Sequence, residues 1–201
     1  VRSALAALLV LLAALLAPAM AGAQSRAELP GMPPPPPALE ELIERRLDVP
    51  KAQRDLPATE QELEALLERM QGDRTVADQV VVLAWLALIR IGRDDLAGAV
   101  RALDSAIGLD TGYWFLRQTR GGTLQRLGKS QAALTDLNFA YRVMPSADRQ
   151  RYLPLVLLPR AAAHEGLRQY EEAAADYEGA SDKPGPSASP ISSKTASADW
   201  S

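Results

Sequence analysis

Three short runs at nearly regular intervals constrain this chain more than any other feature. Leu96, Ala99, Leu103 and Ala106 form the first, Ser130, Ala133, Leu137 and Ala140 the second, and Tyr170, Ala173, Tyr177 and Ala180 the third. Within each run the spacing is three, four, three, which puts all four residues on one face of an α-helix. Ala99 and Ala133 are 34 residues apart, and Ala133 and Ala173 are 40 apart. A period in that range marks stacked supersecondary units in place of one closed core. Alanine recurs where two helices press closest, because a methyl group lets their backbones approach. Leu103, Leu137 and Tyr177 are large enough to fill the gap to the next unit.

Turn signals divide the chain around these runs. Val76 to Ile91 is apolar nearly all round, and Gly92-Arg93-Asp94-Asp95 separates it from a helix over Leu96 to Ile107. Trp114 to Leu127, Gly128-Lys129-Ser130 and Gln131 to Val143 make a second pair, stopped by Met144-Pro145. Leu155 to Gly166 and Tyr170 to Ala180 make a third. A helix apolar all round needs cover on more than one side. The expected cover for Val76–Ile91 is a preceding helix over Thr59–Gln71. Thr59 and Glu62 match a capping box at its start, and Leu63, Leu66, Leu67 and Met70 form its buried stripe. A shorter amphipathic helix is predicted over Leu39–Leu47, with Leu39, Leu42, Ile43 and Leu47 on its apolar face.

The N-terminal 23 residues have the features of a secretory signal. Arg2 precedes an unbroken apolar run from Ala4 to Ala17, Pro18 ends it, and Ala21-Gly22-Ala23 is a small-x-small cleavage pattern after which cleavage is expected. The run is short for a membrane-spanning helix, which needs about 20 apolar residues, so no stable membrane span is expected after cleavage. An exported bacterial protein, periplasmic or secreted, is the expected localisation. The chain has no cysteine, which removes disulfides, thiolate metal sites and a cysteine nucleophile. Its net charge is −3, and losing residues 1–23 removes only Arg2 from the charged set, leaving −4. That balance argues against nucleic acid as a partner, which wants a basic surface.

The remaining boundaries follow from composition. Residues 24–38 hold Pro30 and the run Pro33 to Pro37 and read as an extended, proline-rich spacer. Residues 39–72 carry the N-terminal capping helices, residues 76–180 the repeats, and residues 181–201, rich in Ser, Pro and Ala, a disordered tail.

Helix–turn–helix units about 34 residues apart with alanine-centred second helices resemble tetratricopeptide repeats. The second unit carries the best match, with Gly121, Leu124, Gly128, Ala133, Ala140 and Pro145; the first offers Leu83, Leu86 and Ala87, and the third Leu157 and Ala161. The resemblance implies an all-α fold, a right-handed superhelical array of about three antiparallel helix pairs. It also implies a concave groove lined by the first helices, which binds a protein or peptide partner. Carried over, the partner-binding residues are Ala84, Leu88, Phe115, Gln118, Gln125, Arg126, Leu158 and Glu165, with Gly122 and Ala162 beside them. There are departures from the pattern. Arg117 and Arg120 stand where large apolar residues belong. Six extra residues separate units two and three. Pro154 and Pro159 fall in or near the third unit's first helix, which is expected to start late or kink. No polar capping helix follows Ala180, so the C-terminal end is expected to be covered by a partner or by a second copy in a homo-oligomer.

Little in the chain points to catalysis, and neither an enzyme, a cofactor nor a metal is expected. His164 is the only histidine, has no nucleophile at a recognisable spacing, and reads as a packing residue. The glutamates cluster on amphipathic helices, where solvated faces are the ordinary explanation. Arg117 and Arg120 share a helical face. They suit either an anionic ligand or salt bridges to Asp136 or Asp104. The function these features imply is a non-catalytic interaction scaffold in the bacterial cell envelope. The alternatives are the docking domain of a truncated or larger enzyme and a small anionic-ligand binder using the two arginines.

Overall fold

The computed structural model describes residues 28–70 and 75–181, and among them eight α-helices and one 3-10 turn, at Lys51–Gln53, account for the regular structure. In chain order the helices are α1 (Pro37–Leu47), α2 (Leu56–Met70), α3 (Val76–Gly92), α4 (Leu96–Leu109), α5 (Trp114–Arg126), α6 (Ser130–Val143), α7 (Ser146–Gly166) and α8 (Tyr170–Ser181). The fold is all-α. Each helix from α2 onward packs on its neighbours in sequence, and α5 also touches α7, so the first helices of the second and third pairs meet. α3 is covered by α2 and α4 as its composition requires, with Val80, Val81, Val82 and Ala87 wholly buried. Among the described residues no helix is long and apolar enough to cross a membrane. The predicted signal segment, residues 1–23, lies outside the described residues.

The three helix pairs are closed by the same turn. In the first, the N–H of Asp94 donates to the Ile91 carbonyl at 3.1 Å and that of Asp95 to Arg90 at 2.9 Å. In the second, Gly128 donates to Gln125 and Lys129 to Leu124, both at 2.9 Å; in the third, Arg168 donates to Glu165 and Gln169 to His164, both at 2.9 Å. Each is a Schellman arrangement, which needs a left-handed residue just past the helix. That residue is Asp94 (φ 64°), Gly128 (φ 73°) or Arg168 (φ 61°). The next helix starts at once: the carbonyls of Asp95, Lys129 and Gln169 accept from Ala99, Ala133 and Ala173. A side chain in the left-handed region costs roughly 1–2 kcal/mol. Arg168→Gly is therefore expected to stabilise the protein by about 1 kcal/mol and Gly128→Ala to destabilise it by about as much. Urea midpoints moving in those opposite directions, at unchanged m, would confirm the turn; movement in the same direction would reject it.

Within the second pair the helices approach closely at Gly121, where a Cβ would stand 2.7 Å from Leu137 Cγ and 3.1 Å from the Ala133 carbonyl oxygen. One repeat step either way, Ala87 and Ala161 hold the same place and are wholly buried. A small buried residue thus recurs at this register position in all three pairs.

Four expectations are corrected. The start of α2 is not the Thr59–Glu62 capping box. Asp55 caps the helix, its Oδ1 accepting from the Ala58 N–H at 3.0 Å, and Pro57 in the first turn fixes the helix start upstream. Thr59 is then inside the helix and buried, its hydroxyl donating to the Asp55 carbonyl at 2.7 Å. Glu62 is clamped by Arg45 and Arg46 of α1; the Arg46 hydrogen bond above all holds its carboxyl below the ordinary range. Of the two outcomes expected for α7, a late start or a kink, the late start does not occur. It begins at Ser146 after Pro145, and its 21 residues against 13 in α5 absorb the extra length of the third unit as helix instead of loop. Pro154 and Pro159 are both inside it. Within the proline-rich stretch, the described residues 28–38 are packed on the fold and do not only space: Leu29 is buried in the main cluster, Met32 packs on it, and Pro37 and Ala38 open α1. Ser181, assigned to the tail, closes α8, its hydroxyl donating to the Tyr177 carbonyl at 2.8 Å. The rest of the tail lies outside the described residues.

Candidate functional site

The groove inferred for the first helices divides into a filled half and an open half. Ala84 and Leu88 of α3 are buried to 1% and 4% exposure, in one continuous cluster that also holds Leu39, Leu42, Ile43 and Leu47 of α1. Phe115 is buried to 1% and meets Trp114 edge-on, with ring centroids 6.0 Å apart. The apolar end of the stripe is thus core, and these three residues do not present a free surface. What stays accessible lies farther along: Gln125, Arg126 and Leu158 are half-buried and Glu165 is exposed, with Ala162 beside them at 8%. Sequence spacing located the stripe but could not show that its apolar end belongs to the same buried cluster as α1. That cluster gathers segments some 40 residues apart, and no local pattern records it.

Gln118 is buried to 1% and has a structural task. A helical residue donates to the carbonyl four places back, so Pro159, which has no N–H, frees the Leu155 carbonyl. The Gln118 side-chain amide of α5 donates to that carbonyl at 3.0 Å. Thr119 and Thr123, equally buried, donate to the Phe115 and Thr119 carbonyls at 2.8 Å each. The side chains of Gln118, Thr119 and Thr123 are therefore satisfied within the fold. Gln118→Leu should cost about 1–3 kcal/mol, the usual penalty for orphaning a buried partner. In a Pro159→Ala background, where the helix supplies its own donor, the cost should shrink by about 1 kcal/mol or more. Equal losses in the two backgrounds, measured by urea unfolding, would remove the assignment.

Arg117 and Arg120 converge on one carboxylate. Arg120 Nε and Nη2 donate to Asp136 Oδ2 and Oδ1 at 2.6 and 2.8 Å, Arg120 Nη1 to Asp104 Oδ1 at 2.6 Å, and Arg117 Nη1 to Asp136 Oδ1 at 3.0 Å. Arg117 also lies over the Phe139 ring, 5.0 Å from its centroid. Asp136 is buried to 1%, and its hydrogen bond to Arg120 raises that guanidinium further above its ordinary value. Two arginines against Asp136 and Asp104 leave no net local charge for a free anion. The third unit repeats the pin one step on: Arg160 Nε and Nη2 donate to Asp176 Oδ2 and Oδ1 at 2.7 and 2.5 Å. In the first unit the same two places hold Leu86 and Ala102, both buried.

Arg126, His164 and Glu165 near the groove are also engaged. Arg126 Nη2 reaches Asp94 Oδ1 at 2.6 Å, tying α5 to the preceding turn. His164 Nδ1 is 2.8 Å from Gln169 Oε1, and its Nε2 is 4.0 Å from Asp176 Oδ2, a polar setting at the edge of the hairpin. Glu165 Oε2 accepts from the Tyr177 hydroxyl at 2.9 Å. Burial first, then this carboxylate, pushes the Tyr177 phenol up to about 12 from an ordinary 10.0. A folded-state value above the unfolded one means that the contribution is whole below the unfolded value and fades as pH climbs to the folded one. Tyr177→Phe should therefore flatten the alkaline limb of stability across that window; an unaltered limb would show that the contact is not made in solution.

A second concavity lies between α1 and α2, about 280 Å³, lined by Ala38, Leu42 and Ala65 with Glu41, Arg45, Glu62 and Arg69. Its Arg45 and Glu62 are paired with each other. Among the described residues no group of three or more His, Asp or Glu is placed to hold a metal ion. No family model matches this chain, and no curated protein or solved structure matches it either.

Proposed function

We propose that this chain is a non-catalytic interaction scaffold of the bacterial cell envelope. In this reading its helix pairs stack as a right-handed tetratricopeptide-like array, and a peptide or protein segment is held along the first helices. The observation that carries the reading is the turn repeated three times, with left-handed Asp94, Gly128 and Arg168 at successive steps of 34 and 40 residues. Hairpins closed by one repeated turn are what an array with aligned first helices needs, and such an array offers a continuous binding stripe. Leu158 and Ala162 give an apolar centre to the open half, and Gln125, Arg126 and Glu165 give it a polar rim, a mix suited to a segment with one apolar anchor. The envelope location rests on the apolar segment at residues 4–17 and the small-x-small pattern after it.

Site-specific photo-crosslinking in cells tests the reading. Crosslinkers at Gln125 and at Leu158 should both trap the same protein, and crosslinkers at Ala132 and Arg101, exposed on the second helices, should not. Equal capture from both faces, or none from Gln125 and Leu158, would overturn it.

A further inference from the structure

The stretch ahead of α1 is built as a ligand is built. The Met32 N–H donates to the Leu29 carbonyl at 3.1 Å, with Pro30 and Gly31 between them and Gly31 at φ 64°. Proline at the second place and a left-handed glycine at the third are what a type II turn demands. This turn rests on Trp114: a Cβ on Gly31 would overlap Nε1 of the indole and stand 3.0 Å from Cδ1 and 3.3 Å from Cε2. Glycine is required twice over, for the backbone angle and for the contact. Leu29 is 4% exposed in the main cluster, and Pro36 is buried with the φ −65°, ψ 147° of a polyproline helix.

The receiving surface is fixed in advance. Trp114 Nε1 donates to Asp148 Oδ2 at 3.0 Å, and the indole lies against Tyr152, centroids 5.8 Å apart. Trp114 stands one turn before Gln118 on the same stripe of α5 that continues to Gln125. An aromatic platform of this kind is how proline-rich segments are generally gripped, because such segments lose little entropy on binding.

We propose that Leu29–Pro36 is a built-in occupant of the repeat groove. It holds the Trp114 platform in cis, and a partner segment with the same Pro–Gly turn and proline run binds there only by displacing it. The inference rests on the groove reading above and names the chemistry of its ligand. The arm runs directly into α1, so its local concentration is on the order of millimolar or more. A partner's apparent affinity is lowered by the fraction of molecules in which the platform is free.

The test uses a labelled synthetic peptide of residues 29–36, followed by anisotropy, with the full chain. Gly31→Val should expel the arm by steric overlap, and Leu29→Ala should loosen it by losing its anchor while leaving the turn intact. Both variants, their folding verified by thermal melts, should bind the peptide at least about tenfold more tightly than the unaltered chain. Adding Trp114→Ala should abolish that gain, and so should a peptide carrying valine in place of its glycine. Should Gly31→Val not fold, Leu29→Ala decides alone. Equal binding by the unaltered and loosened chains, or none by either, overturns the proposal. Crosslinks from Gln125 and Leu158 report separately: if they persist while the peptide fails, only self-occupancy falls. If they vanish while the peptide binds, the Trp114 site stands and the open-half reading falls.

Discussion

Asp136→Ala is expected to cost about 3–5 kcal/mol, the loss typical of removing one partner from a buried, hydrogen-bonded ion pair. Asp136 is 1% exposed and accepts from two guanidinium groups. Among the described residues, its removal takes from Arg117 the one carboxylate it pairs with and leaves Arg120 paired with Asp104, which is exposed. The penalty arises mainly from stranding the arginines, not from losing an attraction, and that distinction can be measured. One repeat step back, Leu83, Leu86 and Ala102 stand where Arg117, Arg120 and Asp136 stand. The triple change Arg117→Leu, Arg120→Leu, Asp136→Ala copies the first unit's apolar solution into the second. Replacing a buried ionic cluster whole is often neutral or stabilising by about 1–4 kcal/mol. Urea unfolding should therefore rank the triple variant near or above the unaltered protein and far above Asp136→Ala. A triple variant no better than the single one would show that the two hairpins do not share one packing scheme.

Ala133→Trp is expected to unfold the second hairpin, at a cost of more than about 3 kcal/mol, beyond the ordinary range of overpacking. Ala133 is wholly buried, and its carbonyl oxygen would stand 3.1 Å from a Cβ on Gly121. Helix pairs that press together at a glycine cannot admit an indole without moving apart, and each pair supports the next. Far-UV circular dichroism should show loss of helix and of a single cooperative transition, while Ala133→Ser should keep both. A folded, cooperative Ala133→Trp protein would place the repeat register elsewhere.

What the residues determined on their own was everything set by local chemistry. The three-four-three spacing placed α4, α6 and α8, and the Gly and Asp turn signals placed the first two connections, because periodicity and backbone preference act over a few residues. The helix start at Thr59 was misread for a reason just as local: Asp55 with Pro57 makes a stronger start than a threonine four residues later. The six-residue excess of the third unit was visible, but its placement inside α7 was not. A proline ordinarily ends a helix, and Pro159 is tolerated there because Gln118, 37 residues from Leu155 in sequence, reaches the freed carbonyl.

The candidate site followed the same division. The stripe itself could be read from helical spacing, and Asp136 and Asp104 could be named as partners for the arginines. Only the tertiary structure decided which parts of the stripe are open. Ala84 and Leu88 are closed within a cluster that also takes in α1, Phe115 is closed beside the Trp114 on which the Pro–Gly turn rests, and Gln118 is closed against Leu155 of α7. A helix carries its apolar face in its sequence, but which element covers that face depends on contacts between segments that share no local pattern.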